Sequence, residues 1–201
     1  YGQLCVLANA LMLANELKDA FSLVMRALRL DGNSPQAPEI LFWIYHARGD
    51  KQALTVLKRL QEDGPEERKK IYIYWEALHW NNHSDAERCL EAINRAGGTP
   101  VETQQNYPEV MFSMIRSLVT LGKIDDAEQA FSGIPSKIAR NSHYISMALA
   151  SIHKFNGEMA KVLEVYEDIS KPVPIPEVVW NKALAQLSLG ALERGWENYD
   201  I

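Results

Sequence analysis

This 201-residue sequence predicts an all-α fold built from antiparallel helix pairs, and three observations carry that expectation. Apolar residues recur three and four apart over long stretches, the pattern of helices that each bury one side. No stretch alternates apolar and polar residues over strand length beside hairpin turn residues, so essentially no sheet is expected. The punctuation is periodic: the nine prolines fall in five places, and every segment they delimit has a Gly or polar break near its middle. Proline inside a helix loses a hydrogen bond and clashes, at about 3 kcal/mol, so it collects at helix starts and between elements.

Taken in order, 4-LCVLANALMLANEL-17 is a helix of the fold. It has no basic flank, it is interrupted by Asn9, Asn15 and Glu16, and it is too short to span a bilayer. Its break is 15-NELK-18. Pro35 and Pro38 open the next pair, broken at Gly49, and Pro65 precedes 71-IYIYWEALHW-80, broken at 81-NNHS-84. An inserted loop is expected at 96-AGGTPVETQQN-106, between the third and fourth units. Then come 110-VMFSMIRSLVTL-121 with Gly122, Pro135, and 145-ISMALASIHKF-155 with Gly157. Pro172, Pro174 and Pro176 lead into 178-VVWNKALAQLSL-189 with Gly190. The expected units are 1–33, 34–66, 67–107, 108–142, 143–175 and 176–201, forming one array. The last unit is cut within or just after its second helix. With no initiator Met, the chain is expected to be a piece of a longer protein.

A small or modest residue stands early in each second helix, where two helices must cross closely: Ala20, Ala53, Ala86, Ala127, Val162 and Gly195. Their separations are 33, 33, 41, 35 and 33 residues, and the long step contains the insertion. A helix–turn–helix unit of about 34 residues has the period of the tetratricopeptide repeat. The first unit resembles that family through Leu4, Leu7, Ala8 and Leu11, then Ala20, Val24, Ala27 and Leu30-Asp31, with Gly32 where the family closes on Pro. The fourth resembles it through Gly122, Ala127 and Phe131, and the sixth through Ala183, Leu189-Gly190, Gly195 and Tyr199. The repeats are degenerate: Ile93 and Ile134 stand where a small residue is usual, and Val162 replaces an Ala. The resemblance implies a right-handed superhelical solenoid of about six units.

Composition narrows the function. Nearly half the residues are apolar and about a quarter charged, as in folded proteins. A net charge of −5 argues against a generic nucleic-acid or anionic-membrane binder, and against the RNA-binding pentatricopeptide relatives. Cys5 and Cys89 are too few and too far apart for a disulfide framework or a zinc knuckle, and favour a reducing, cytoplasmic setting. No GxSxG, Gly-rich phosphate loop or HExxH is present, so neither a catalytic site nor a cofactor is expected. His79, His83 and Cys89 lack a fourth ligand and are read as groove and turn residues rather than a metal site. Asp125, Asp126 and Glu128 are capping residues, since they fall where a helix macrodipole favours negative charge.

In repeat arrays of this kind the first helices line a concave surface. The candidate groove residues at three-four spacing there are Phe42, Tyr45 and His46, then Tyr72, Trp75 and His79. Phe112 and Arg116, Tyr144, and Trp180 continue the series, while Ile73 and Ala77 are expected to face the core. Some arrays of the family grip a peptide carboxylate with Lys, Asn and Arg residues. Asn9 matches one such position, but Cys5 stands where Lys belongs and Arg68 and Tyr72 replace a Lys–Arg pair. The resemblance therefore does not imply a chaperone-type EEVD ligand.

The expected function is a non-catalytic scaffold binding a peptide or protein segment in its groove, with no nucleic acid and no membrane insertion. The alternative is a substrate-presenting arm of a larger enzyme such as a glycosyltransferase or sulfotransferase. It comes from the phrase 195-GWENYD-200, which resembles the end of some bacterial repeat arrays joined to such domains. A third reading is self-association through the groove or an end.

Overall fold

In the computed structural model the described residues are 1–32, 34–169 and 175–199, so Pro172, Pro174 and the terminal Asp200-Ile201 lie outside them. Every regular element among them is helical. They are α1 (Gly2–Leu13), α2 (Leu17–Leu30), α3 (Gln36–Ala47), α4 (Gln52–Asp63), α5 (Lys69–Asn82), α6 (Ala86–Arg95) and α7 (Val101–Asn106). There follow α8 (Pro108–Thr120), α9 (Ile124–Ser132), α10 (Ser136–Asn141), α11 (His143–Phe155), α12 (Met159–Ile169), α13 (Pro176–Ser188) and α14 (Leu192–Tyr199). A short 3-10 turn, Glu66–Arg68, leads into α5.

The turns inside the helix pairs repeat one geometry. Each holds a left-handed residue: Asn15, Gly49, Ser84, Gly122, Gly157 or Gly190. One residue later, an N–H reaches back to a carbonyl five residues upstream. Glu16 donates to Leu11 (2.8 Å), Asp50 to Tyr45, Asp85 to Trp80, Lys123 to Leu118 and Glu158 to His153 (each 2.9 Å), and Ala191 to Gln186 (3.0 Å). This is the Schellman closure, which satisfies carbonyls that a helix end leaves open. Glycine adopts the conformation at no steric cost, whereas Ser84 at φ 58° bears one. In the third pair α5 continues through Asn82, so the break falls at His83-Ser84 rather than at Asn81. Asp85 then caps α6 by accepting the Arg88 N–H at 3.1 Å.

The chain forms two compact units, Tyr1–His79 and Trp80–Ile201. In the first, α1 packs on α2, both pack on α3, and α3 packs on α4. Ala8, Ala20, Ala37 and Ala53 are fully buried, as are Val24, Phe42 and Ile44. Small residues let the helix axes approach, while each fully buried large side chain contributes about 1.5–3 kcal/mol. In the second unit α6 packs on α8, α8 on α9 and α11, α11 on α12, α12 on α13, and α13 on α14. Its core holds Met111, Ile115, Ile145, Ala127, Val162 and Val178. All six residues of the small-residue series are buried, with Gly195 set against Leu187.

The expected loop at 96–106 contains helix α7 instead. Pro100 starts it, Thr103 and Gln104 are buried, and the Gln104 amide donates to the Thr99 carbonyl at 2.9 Å. Burying one side against α8 turned a polar stretch into a helix that its composition does not announce. No helix among the described residues is long and apolar enough to cross a membrane.

Candidate functional site

In the first unit, side chains 33 residues apart meet across α3 and α5. The Tyr72 hydroxyl donates to Glu39 Oε1 at 2.6 Å. Phe42 and Trp75 stack with centroids 5.4 Å apart and planes 7° from parallel. His46 and His79 approach through their Nδ1 atoms at 3.1 Å. The same repeat position is thus occupied by interacting groups in successive helices, and this fixes the relative register of α3 and α5.

Each rung constrains the next. Arg68 Nε lies 3.0 Å from the Glu39 carboxylate, whose side chain is only 12% exposed. That nitrogen is not angled for a hydrogen bond, so the contact is charge attraction, and it offsets the cost of burying the carboxylate. Burial, followed by the hydrogen bond and charge of Glu39, pushes the Tyr72 phenol above its ordinary value, so Tyr72 stays a donor. At 3.1 Å, two Nδ1–H groups would point at each other, so one imidazole donates and the other accepts. Gln61 donates to Glu76 at 2.8 Å and ties α4 to the outer side of α5.

Trp43 closes the cluster. Its ring meets Phe42 edge-on at 4.9 Å, Trp75 at 5.0 Å and His46 at 5.4 Å. Tyr72 adds a T-shaped contact with Trp75 at 5.4 Å. Phe42 and Tyr72 are fully buried and Tyr45 and His79 nearly so, whereas Trp43, His46 and Trp75 are half-buried. The sequence expectation needs correcting here: Phe42, Tyr45, Tyr72, His79 and Phe112 are buried rather than open, with Phe42 and Tyr72 lying beneath Trp75 and Tyr45 turned against Phe21. Ile73, expected in the core, is half-buried, while Ala77 is fully buried. The reason is the rotation of α5, which turns Tyr72, Trp75 and His79 against α3. Trp43 was missed because it adjoins Phe42, and adjacent residues on a helix point about 100° apart.

What remains open is the Trp43–Trp75 edge beside His46. Held from below by buried rings, it offers large contact area with little conformational entropy left to lose. Asn9 is exposed on α1. A cavity of about 610 Å³ also lies in this unit, lined by Leu28, Pro35, Pro38, Leu41, Arg59 and Pro65 among others, and none of the cluster's rings line it.

The second unit carries the other candidates. Phe112 is buried, Tyr144 stands 6.3 Å from it, and the Arg116 guanidinium lies over the Phe112 ring at 5.9 Å. Burial, then the charges of Glu109 and Glu177, raises the Tyr144 phenol. Tyr166 is pushed up to about 12 by burial and then Glu177, against the opposing charge of Arg116. Trp180 is 43% exposed and packs on Tyr199 at 4.3 Å, and Tyr199 meets Trp196 at 5.3 Å. Of the aromatic residues of 195-GWENYD-200, Tyr199 thus packs on α13, while Trp196 meets Tyr199 within α14 and is 55% exposed.

No protein-family model matches the chain, and no curated protein does. Solved structures do. The chain is similar to the pilF protein of Pseudomonas aeruginosa at 13% identity and a TM-score of 0.65, covering 98% of this chain and 87% of that one. It is similar to a tetratricopeptide repeat protein from Parabacteroides merdae at 17% identity and a TM-score of 0.62, covering 98% and 77%. At such identities the likeness speaks for the backbone rather than for a shared ligand. The paired helices, their common turn and these structural neighbours establish that the chain has the tetratricopeptide-repeat fold, written in degenerate repeats.

Proposed function

We propose that the protein is an interaction scaffold that binds a peptide or protein segment across the face carried by α3 and α5, with Trp43 and Trp75 as anchors. The observation that carries this reading is the partly buried Trp43–Trp75 edge resting on the buried Phe42 and Tyr72 rings. A ring pair fixed in this way meets a partner already ordered, which is the property of binding hot spots. His46 beside it adds a polar group for orientation. Arg116, Tyr144 and Trp180 are the corresponding candidates in the second unit, with Phe112 buried beneath Arg116.

The test is affinity capture followed by titration with the captured protein, using the wild type, Trp43→Leu and Trp75→Leu. Circular dichroism at the assay temperature checks that each variant is folded. Either substitution is expected to weaken binding by about 2 kcal/mol, roughly 30-fold. A partner that binds both folded variants as tightly as the wild type overturns the assignment.

A further inference from the structure

In the sequence His79 stands near His83 and Cys89, but the fold brings it to His46, 33 residues away on α3. Their Nδ1 atoms are 3.1 Å apart. A divalent transition metal binds imidazole nitrogen at about 2.0–2.1 Å, so two nitrogens on one ion lie about 2.9 Å apart at a right angle and about 3.3 Å apart at the tetrahedral angle. The observed spacing falls between these and corresponds to an angle of about 98° at the metal. The ion would lie about 1.3 Å to one side of the line joining the nitrogens, reached by turning each ring about its Cβ–Cγ bond. Neither ring has much other freedom to lose. His46 stacks on Phe42 with centroids 5.7 Å apart and meets Trp43 edge-on at 5.4 Å, while His79 is only 2% exposed. Ligands already held near the required spacing bind an ion without the ordering cost that flexible side chains bear. His46, the half-buried ring, is the side from which water and ions reach the pair.

We propose that His46 and His79 form a two-imidazole site for one divalent transition-metal ion, of the zinc and copper class. The ion takes the place of the hydrogen between the rings. The donating imidazole moves its Nδ1 hydrogen to Nε2, so both rings remain neutral ligands and no net proton leaves. Imidazole suits zinc, copper and nickel, whereas magnesium and calcium prefer oxygen donors. Among the described residues no group of three or more His, Cys, Asp or Glu side chains is placed to hold a metal. Two coordination positions are therefore left to water or to donor atoms of a bound molecule, as in open rather than structural sites. Only the register of α3 against α5 is needed for this, so the site stands or falls apart from the peptide-binding reading.

The experiment titrates zinc sulfate into the purified, EDTA-treated chain by calorimetry, and copper sulfate by tryptophan emission. The proteins are the wild type, His46→Gln, His79→Gln and, as a control, His153→Gln, whose ring is engaged by Glu158 at 2.6 Å. At about pH 7.5 one ion per chain should bind the wild type with an apparent Kd below about 100 μM. Copper should quench the emission, because the Trp43 ring adjoins His46. Either glutamine substitution in the pair should weaken both ions by about ten-fold or more, while His153→Gln binds like the wild type. Lowering the medium to about pH 5.5 should also weaken the wild type by about ten-fold or more, since protons compete for the same nitrogens. Circular dichroism checks that each variant is folded, and His46→Gln, at the less buried ring, decides alone if His79→Gln unfolds. Absence of saturable binding overturns the site, and so does binding that survives His46→Gln. Binding lost equally in His153→Gln, or copper bound without quenching, places the ion elsewhere and overturns it too.

Discussion

The stacking of Phe42 on Trp75 is the contact on which the site's rigidity depends, and a double-mutant cycle measures it. With centroids 5.4 Å apart and planes 7° from parallel, the pair lies in the range where aromatic rings attract beyond simple burial, by about 0.5–1.5 kcal/mol. Leucine at each position keeps an apolar body and removes the ring. Phe42→Leu should cost more than Trp75→Leu, because Phe42 is fully buried while Trp75 is only partly buried and water can reach its place. The double variant should be less destabilised than the sum of the singles by about 0.5–1.5 kcal/mol, since the stack can be lost only once. Urea titration followed by circular dichroism reads all four proteins. A coupling below about 0.3 kcal/mol, the scatter expected of independent sites, would mean that the rings do not stack and that the Trp43–Trp75 edge lacks its floor.

Gly64→Ala should destabilise the first unit by about 2–3 kcal/mol in the same titration, because a Cβ there would collide with the Leu60 carbonyl and stand 2.8 Å from Cε2 of Tyr72; an unchanged midpoint would refute the packing around Tyr72. Ser84→Gly should stabilise by about 0.5–1 kcal/mol, since a non-glycine residue at φ 58° bears a strain that glycine does not; a loss of stability would show that the turn is formed otherwise. Burial raises the Glu109 carboxyl above its ordinary value, while a hydrogen bond from its own N–H opposes the rise. The folded chain thus holds that proton more tightly than the unfolded one, so ionised Glu109 costs stability above its folded value, and the cost fades as pH falls from there to the unfolded value of about 4.3. Glu109→Gln should accordingly melt higher than the wild type at pH 7 and alike near pH 4, and equal melting at both values would count against the burial.

Local rules were legible in the residues themselves. Gly49, Gly122, Gly157 and Gly190 announced helix ends because only a left-handed residue closes that turn without strain. The series from Ala20 to Gly195 announced close crossings because large side chains do not fit there. From these the number of helix pairs and their period followed. Tertiary packing alone decided which side of α5 is covered. Ile71, Tyr72, Ile73, Tyr74 and Trp75 put apolar groups all around the helix, so periodicity could not choose an inward face. The choice fell to contacts 33 residues away with Glu39, Phe42 and His46. For the same reason Trp43 became an open edge while Phe42, its neighbour, became the floor. Helix α7 likewise depends on burial against α8, which no propensity within Val101–Asn106 encodes. A sequence carries its turns and its spacing in neighbouring residues, but the side of a helix that meets solvent is set by the helix packed against it.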